Sequence, residues 1–494
     1  MRKLLLPKQK RSIKLSESEI RAVYAQGEEA VVNLVSELLK QSEKLEERVE
    51  KLEGQLSKNS RNSSKPPSAD GFGKRTKSLR RKSERSSGGQ PGHPGHTLEW
   101  SEAVDWVERH EVHECSLCGT SLTSEAVEET LHRQVFDIPS LKVMVREHQV
   151  EVKCCPQCGQ KNQADFPVEA KNVVQYGPRL KAMMVYLSEW QLLPFERSCQ
   201  LLSDLLGAPI SEGTLHNARV ECFESLAAIE QSIQSHLINA EVVHFDETGL
   251  QVNGELRWLH VAGNEQFTHY VVHAQRGQVA IDAGGILPHF SGKAIHDGWK
   301  SYGAYECEHF LCNAHHLREL QFIRERYQQS WADQMSLLLV SILSQVQAAK
   351  AEGLSGLASE EIDAFSARYL EILAEGLAAN PLPSAATDAP KKRGRPKRSP
   401  PRNLLERLQS QQASVLGFML DFTVPFDNNQ AERDLRMMKL KQKISGCFRS
   451  ENGAKIFCRI RGYLSTLRKQ QCNIFDALSD LFSGHPKTLV PQPE

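Results

Sequence analysis

The chain has no excess of either charge and no long apolar run. Its 494 residues carry 61 Lys and Arg against 61 Asp and Glu, so the overall charge says nothing about nucleic acid. No apolar stretch approaches the roughly 20 residues that cross a bilayer, and the three leucines of Met1-Arg-Lys-Leu-Leu-Leu-Pro7 are too few for a signal peptide. These absences predict a cytoplasmic protein without a membrane partner. In a reducing compartment the twelve cysteines are expected to be metal ligands and core thiols rather than disulfides.

A heptad repeat lies near the N-terminus, in the predicted segment 1–60. Residues 15–57 are predicted to be helical, with apolar residues at a seven-residue period. One series holds Leu38, Leu45 and Leu52, and the other holds Val35, Val49 and Leu56 with Ser42 in its second slot. With charged residues between them, this coiled-coil pattern predicts a homo-oligomer. A single amphipathic helix packed on its own protein would have a similar sequence.

The next segment, residues 61–100, is predicted to be a basic flexible linker. It has no apolar periodicity and is rich in Ser, Asn, Gly, Pro and basic residues, so it cannot bury enough apolar area to order itself. Its run Lys74-Arg-Thr-Lys-Ser-Leu-Arg-Arg-Lys-Ser-Glu-Arg85 can follow a phosphate backbone by displacing counterions. The run also suits a solvated tether, and the two interpretations are compatible.

Two cysteine pairs in residues 101–170 predict a zinc ribbon. Cys115-Ser-Leu-Cys118 and Cys155-Pro-Gln-Cys158 are each followed by Gly, and two such knuckles supply four thiolates to one tetrahedral Zn²⁺. Strand-like segments at 133–138, 142–146 and 150–152 fill the stretch between the pairs. Because four thiolates leave no open position, this zinc is expected to be structural. The alternatives are two unrelated pairs in a reduced core, or a ligand exchanged for Cys154, His110 or His113.

Residues 171–236 are predicted to be a helical, DNA-binding region. Helices are expected at 178–190 and 194–206, and Ser211 suits the N-cap of a third helix. The intervening Gly207-Ala-Pro-Ile210 turn gives the outline of a helix-turn-helix. A packing or hinge role is the alternative.

From residue 237 the sequence changes to short apolar strands alternating with helices. Strands are predicted at 242–245, 257–262, 268–273, 293–296 and 309–312, with a helix at 278–287 between the third and the fourth. Three strands, a helix, a strand, a helix and a strand is the order of the ribonuclease H fold, whose first and fourth strands are neighbours. We therefore expect a multidomain α+β protein with a ribonuclease H-like α/β catalytic core. The predicted parts are the core at 237–316 and 425–485, a helical insertion at 317–424 and a tail at 486–494.

Two basic stretches are candidate DNA contacts. In Lys391-Lys-Arg-Gly-Arg-Pro-Lys-Arg398, which holds Arg393, Arg395 and Lys397, an extended Gly-Arg-Pro backbone can present two arginines to an A·T-rich minor groove. A nonspecific basic loop is the alternative. The second stretch holds Arg436, Lys439, Lys443 and Arg449.

Several long sequence motifs lie within these segments. They are His244-Phe-Asp-Glu-Thr248, Asp297-Gly-Trp299, Cys312-Asn-Ala-His-His-Leu-Arg-Glu319, and Phe422-Thr-Val-Pro-Phe-Asp-Asn-Asn-Gln-Ala-Glu-Arg433 continued by Lys443-Ile-Ser-Gly-Cys-Phe-Arg449. With the coiled coil, the Gly88-Gly-Gln-Pro-Gly-His93 linker and the four-cysteine ribbon, the chain resembles the transposases of the insertion sequence 66 family, a branch of the DDE transposases. The resemblance covers nearly the whole length.

The resemblance implies metal-dependent cleavage of DNA at element ends and strand transfer into target DNA. It implies that Asp246, Asp297 and Glu432 are the catalytic triad and hold two Mg²⁺ ions, with Asp246 bridging both. Such a pair of hard cations activates the attacking oxygen and stabilises the leaving one in an in-line displacement. The implied partners are transposon ends and target DNA, at the nucleoid of a bacterial cytoplasm.

Simpler interpretations stand beside these assignments. An Asp at a strand end is often a turn or cap residue, Glu432 can pair with Arg436 at i+4, and Glu247 is the nearest rival to Asp246. His315 and His316 are either neighbours of the metals or structural histidines, and Trp299 is either a stacking platform for an unpaired base or a core residue. For the whole protein, the alternatives are a DNA-binding regulator without catalysis and a coiled-coil scaffold.

Overall fold

The computed structural model describes residues 16–59, 61–63, 97–167, 169–382 and 398–489. They divide between two compact units. Unit 1 holds the described residues up to 63 with those of Lys293–Gly303 and Glu308–Asn428, and unit 2 holds those of Ser78–Gly292, Ala304–Cys307 and Asn429–Glu494. No helix in these ranges is long and apolar enough to span a membrane. Helices and strands are mixed, which confirms the α+β prediction at that level.

Unit 1 begins with two helices where the sequence predicted one. α1 covers Glu17–Tyr24, with Ser16 as the N-cap of a capping box. α2 covers Glu28–Leu56 and, within the described chain, buries none of its residues. The prediction of one helix over 15–57 is wrong because Gly27 has a φ of 102°, which breaks the helix and favours glycine.

Residues 97–167 and 169–176 of unit 2 contain little regular secondary structure. β1 (Val152–Cys154) pairs antiparallel with β2 (Lys161–Gln163). The predicted strands at 133–138 and 142–146 are wrong, because the described residues there form no strand. Their apolar sequence favours a strand, but a strand is stable only beside a paired neighbour, and in the described chain neither segment has one.

Four helices of unit 2 confirm the helical prediction for 171–236. They are α3 (Pro178–Val185), α4 (Phe195–Leu206), α5 (Glu212–Ser225) and α6 (Ala227–Ile238). α3 continues into one π-helical turn, Tyr186–Trp190. Gly207 ends α4 in the left-handed conformation, and Ser211 caps α5 by accepting from the Thr214 N–H.

The next strands of unit 2 form an antiparallel meander. They are β3 (Val242–Val252), β4 (Glu255–Gly263) and β5 (Thr268–His273). α7 (Gln278–Gly284) follows, shorter than predicted because Gly285 ends it in the left-handed conformation. The first three predicted strands are therefore confirmed, with β3 longer than predicted.

Unit 1 resumes with a parallel strand pair and five helices. β6 (Lys293–His296) pairs with β7 (Glu308–Leu311). The helices are α8 (Asn313–Tyr327), α9 (Ser330–Ala351), α10 (Ser359–Ala379), α11 (Pro400–Ser410) and α12 (Gln412–Leu420). α12 packs so closely on β7 that the Phe310 ring leaves no room for a Cβ at Gly417.

The end of α2 and the residues after it contact α8 within unit 1. Glu53 Oε2 lies 2.8 Å from Arg326 Nη2, and the Asn62 side chain donates to Glu325 Oε2 at 2.9 Å. Lys58 Nζ lies 5.2 Å from the centre of the Phe322 ring. These contacts attach the C-terminal end of α2 to the insertion helices, while its preceding turns remain exposed.

Three last helices complete unit 2. They are α13 (Asn429–Ser445), α14 (Glu451–Lys469) and α15 (Ile474–Phe482). Ala431, Leu435 and Met438 of α13 join one apolar cluster with Leu250 and Val252 of β3. Burying this apolar stripe holds α13 on one face of the meander.

A buried ion network links the helices of unit 2. Glu189, in the π-helical turn, is fully buried and pairs with Arg219 of α5. Arg461 of α14 donates to the Glu189 and Trp190 carbonyls, both at 3.1 Å, and its guanidinium lies 4.2 Å from the centre of the Trp190 ring. Sequence patterning did not indicate this network, because its members lie far apart in the chain.

Candidate functional site

Asp246 lies in the middle of β3, whereas its sequence context predicted a strand end. That prediction is wrong because β3 continues to pair with β4 beyond it, as far as Val252. Side chains alternate between the two faces of a strand, so Asp246 shares a face with Leu250 and Val252. Both belong to the cluster that packs on α13. The Asp246 carboxylate is therefore on the face of the meander that α13 covers.

One row of cross-strand neighbours links Asp246 to α13. Asp246 opposes Val261 in β4, which opposes Tyr270 in β5. The Tyr270 hydroxyl donates to the Asp434 carbonyl in α13 at 2.8 Å. Asp434 is only about 3 Å of helix rise beyond Glu432. Within unit 2, Asp246 and Glu432 therefore lie at the same level of the strand and the helix.

A second contact supports this alignment. The Lys439 ammonium donates to the Gly249 carbonyl at 2.7 Å, farther along both α13 and β3. From Gly249 back to Asp246 is about 10 Å of strand, and from Lys439 back to Glu432 is about 10 Å of helix. Because the two distances match, α13 runs in the direction of β3, and Glu432 lies at about the level of Asp246.

Glu247, the rival to Asp246, faces the opposite side of the meander. Its side chain is 1% exposed, and its Oε1 accepts from Nε and Nη2 of Arg276 at 2.9 and 2.6 Å. The Arg276 guanidinium lies 4.9 Å from the centre of the Trp258 ring. The Glu247 N–H donates to Asp246 Oδ1 at 2.8 Å. Glu247 is thus a buried partner of Arg276, whereas Asp246 is the acid on the α13 face.

Asp297 belongs to unit 1, so the three predicted acids are divided between the two units. It is exposed in the turn after β6, and its Oδ1 accepts from the Trp299 N–H at 2.8 Å. Gly298 has a φ of +84°, a conformation that strains other residues. The Trp299 ring is partly buried and packs edge-on against Tyr302, with 6.0 Å between ring centres.

Two histidines close to the predicted motifs are buried and neutral. Burial, helped by nearby His309, lowers the pKa of His296 to about 3. Burial also lowers the pKa of His316 to about 3, and its Nδ1 lies 3.0 Å from the Asn313 Oδ1. His316 therefore fits the structural interpretation, since its ring is enclosed and bonded within α8.

The basic residues of the second stretch differ in exposure. Arg436, Lys443 and Arg449 are exposed. Lys439 is half-buried on the Gly249 carbonyl, and burial lowers its pKa. Its ammonium therefore holds the helix to the strand. The other predicted contacts, Arg393, Arg395 and Lys397, lie outside the described residues.

The helix-turn-helix outline is present, but α5 offers little to a phosphate backbone. Arg219 is the one Lys or Arg among its residues, and this side chain is buried against Glu189. The exposed residues of α5 include Glu212, His216 and Glu224. A DNA-binding role for α5 would therefore lack the charge that dominates such affinity.

The two cysteine pairs adopt the same backbone geometry. In each, the N–H of the first cysteine (Cys115 or Cys155) donates to the carbonyl five residues on, at 2.8 Å. The glycine after each pair donates back to that cysteine's carbonyl at 2.9 Å. Gly119 and Gly159 have φ values of 72° and 73°, which explains why glycine follows both pairs.

Hydrogen bonds favour the thiolate at both knuckles. The Thr120 hydroxyl lowers the pKa of Cys118 to about 7, and the Cys158 N–H lowers the pKa of Cys155. The thiolate is the form that binds zinc. Cys154 is outside the knuckle, with its thiol on the Gly159 carbonyl at 3.2 Å. Among the described residues, no three of the four predicted ligand sulfurs lie within 4.8 Å of one another, so the four thiols are not gathered around one point.

Comparison with known families gives two matches. Residues 173–456 match the Transposase IS66 family, and residues 8–99 match a family of unknown function, DUF6444. No curated protein matches the chain. The first match covers more than half of the chain and contains Asp246, Asp297 and Glu432. The chain therefore belongs to the Transposase IS66 family.

Proposed function

We propose that this transposase cuts DNA at the ends of its element and joins the ends to target DNA, with Asp246, Asp297 and Glu432 as catalytic acids. Membership of the family indicates DNA transposition in general. The finer proposal rests on one observation. Asp246 of β3 and Glu432 of α13 lie at the same height along these two elements, on one face of the meander. Packing alone gives no reason to bring two acids from distant parts of the sequence to the same level, since like charges repel.

The donor set fits magnesium. Mg²⁺ prefers oxygen ligands and keeps several waters, so a few carboxylates hold it without thiols. Two such ions, when bound, would stabilise charge on the attacking and leaving oxygens of a phosphodiester. Asp246 is fixed by a paired strand and Glu432 by the first turn of a packed helix, while Asp297 is presented by a tight turn. Rigid supports of this kind reduce the reorganisation that catalysis requires.

Exposed cations beside this site suit a phosphate backbone. Arg436 and Lys443 are on α13, the helix that carries Glu432, and Arg449 follows it. Each phosphate contact releases counterions, so DNA affinity should fall steeply with salt. A coiled-coil scaffold without DNA affinity would not show this salt dependence.

The test is a cleavage and strand-transfer assay on DNA that carries the terminal sequences of the element. Wild-type protein should cut and join this DNA with Mg²⁺ and should do neither in EDTA. Variants of the three acids should bind the DNA as wild type does but leave it intact. Cleavage that survives these substitutions would contradict the catalytic proposal, and binding without cleavage by the wild type would favour the DNA-binding regulator.

We also propose that Cys115, Cys118, Cys155 and Cys158 hold one structural Zn²⁺. Their matched backbone geometry and the lowered thiol pKa values of Cys118 and Cys155 support this proposal. Many apolar side chains of residues 97–176 are exposed, including Trp106, Val135 and Val145. Joining the knuckles through one ion would give these side chains a core to enter, because structural zinc supplies folding free energy to small domains.

Substitution of adjacent cysteines tests the zinc site. Purified protein should contain about one zinc per chain. Cys155→Ser should remove this zinc, whereas Cys154→Ser should keep it, since Cys154 is outside the knuckle. Metal content is measured by mass spectrometry, and amide exchange over 97–176 should speed up only when zinc is lost. Unchanged zinc in Cys155→Ser, or its loss in Cys154→Ser, would contradict this ligand set.

We further propose that α2 pairs with α2 of a second copy. Its two apolar series stay exposed in the single chain, with Leu45 62% exposed. One series holds Val35 and Val49 together with Ser42 and Leu56, and the other holds only leucines. A β-branched residue in the first series with leucine in the second favours parallel two-stranded coils. An unpartnered apolar stripe of this length is costly in water.

A charge placed in the stripe tests this pairing. Leu45→Asp should shift the protein to monomer, because a carboxylate would be buried in the seam. Lys44→Asp, one position away on the outer face, makes a larger charge change and should leave assembly unaltered. Sedimentation equilibrium measures both. Equal masses for the two variants would remove the coiled coil as the site of assembly.

A further inference from the structure

His296 is the last residue of β6 and directly precedes Asp297. Its ring is 4% exposed, whereas Asp297 is exposed. An enclosed imidazole cannot reach DNA, which excludes a direct role in proton transfer. Because His296 directly precedes Asp297, it can instead stabilise the turn that carries the Asp297 carboxylate.

The hydrogen bonds of the ring define its tautomer. Nδ1 lies 3.0 Å from the Gly298 nitrogen and accepts from that N–H, so Nδ1 carries no proton. In a neutral ring the proton is then on Nε2, which donates to His309 Nδ1 at 3.0 Å. The ring also stacks on Tyr302, with 4.7 Å between centres. The imidazole is thus fixed at both nitrogens and on one face.

The two N–H groups that follow Asp297 are both held by side chains. The Gly298 N–H is bound by His296, and the Trp299 N–H is bound by Asp297 itself. Gly298 has a φ of +84°, a conformation that strains any residue with a Cβ. The turn is therefore held by His296 at the Gly298 amide and by the Asp297 carboxylate at the Trp299 amide.

We propose that His296 is a positioning residue for Asp297, because its unprotonated Nδ1 holds the Gly298 amide and so fixes the turn that presents the carboxylate. This role rests on the proposed function of Asp297. The bond to His309 orients the ring, but the bond to Gly298 sets the turn.

Two substitutions separate these bonds. In His296→Asn the side-chain carbonyl occupies the place of Nδ1, so the Gly298 amide keeps an acceptor and the His309 bond is lost. In His296→Gln the side-chain amide occupies the place of Nε2, so the His309 bond is kept and the Gly298 amide loses its acceptor. Each variant loses one hydrogen bond, which makes them matched controls for stability. His309→Leu removes the Nε2 partner by a second route and should behave as His296→Asn does.

The first measurement is amide hydrogen exchange at Gly298 in metal-free protein. His296→Asn and His309→Leu should exchange within about threefold of wild type, and His296→Gln about tenfold faster or more, because an amide without an acceptor loses protection. The second is the Mg²⁺ concentration for half-maximal cleavage, which should rise about tenfold in His296→Gln alone.

The outcomes are distinct. The pattern just described supports the positioning role. Equal exchange at Gly298 in the Asn and Gln variants overturns it, and so does a Mg²⁺ requirement that fails to follow the exchange rates. Wild-type cleavage by Asp297→Asn removes the proposed function and the positioning role together, whatever the exchange rates are, so that failure is recognised separately.

Discussion

Replacing Asp246 by Asn should lower the rate of DNA cleavage by about 10³-fold or more, whereas replacing its neighbour Glu247 by Gln should lower it by less than about tenfold. The two acids are adjacent, but the strand directs their side chains to opposite faces. Asp246 is on the face covered by α13, and Glu247 is enclosed with Arg276. Loss of one negative charge therefore has different consequences at the two positions.

The glutamine at 247 keeps the essential contacts. Its carbonyl can still accept from Arg276, and its N–H still donates to Asp246 Oδ1. Because the Arg276 side chain is 37% exposed, its charge stays solvated when the carboxylate is neutralised. The Asn at 246 keeps the shape of the side chain but removes the anionic ligand, and DNA binding should be unchanged.

Single-turnover cleavage and DNA affinity should be measured for both variants. Asp297→Asn and Glu432→Gln should fall into the same class as Asp246→Asn. If Glu247→Gln were the variant that stops cleavage while Asp246→Asn cuts normally, the assignment of the strand's catalytic acid would be reversed. A loss of DNA affinity in Asp246→Asn would indicate a folding defect and require the comparison to be repeated at saturating DNA.

Replacing Glu189 by Gln should destabilise unit 2 by about 3–5 kcal/mol, the cost of leaving a buried charge without its partner. Glu189 is fully buried, and the side chain of Arg219 is 7% exposed. Without the carboxylate, the Arg219 guanidinium keeps its charge in a buried site but loses the anion it pairs with. The π-helical turn, α5 and α14 meet at this network, so its loss should loosen all three.

A nearby pair on the surface is the matched control. Glu221 lies in α5, two residues after Arg219, and pairs with Lys181 at 2.7 Å. Its side chain is 46% exposed, so Glu221→Gln should cost less than about 1 kcal/mol. Denaturant unfolding and amide exchange of α3–α5 measure both, and Arg219→Met combined with Glu189→Gln should recover part of the loss. Equal stability of the two single variants would show that the buried pair contributes no more than the exposed one.

The periodicity of the sequence was sufficient for most helices and for the meander. Ala431, Leu435 and Met438 are buried at the spacing of one helix face, and Ser211 caps α5 as predicted. Such features depend on neighbours three or four residues away, which a sequence displays directly. The predicted strands at 133–138 and 142–146 failed for the opposite reason, since a strand depends on a partner that local sequence does not specify.

The candidate site shows the same division. The motifs around Asp246, Asp297 and Glu432 identified the acids, but Asp246 and Glu247 could not be separated by sequence, because adjacent carboxylates look equivalent. Lys439 looked like its basic neighbours, and only a contact with Gly249, 190 residues earlier, shows that its ammonium is used within the fold.

By itself, the sequence determined the family, the apolar faces of the helices and which residue types are available for metal and DNA. Tertiary structure decided which of two neighbouring acids faces α13, which cations are buried and which amide His296 holds. The physical reason is the distance along the chain over which each effect acts. Propensity and periodicity act over a few residues, whereas the direction of a side chain and the partner of a buried charge are set by segments that the chain brings together only on folding.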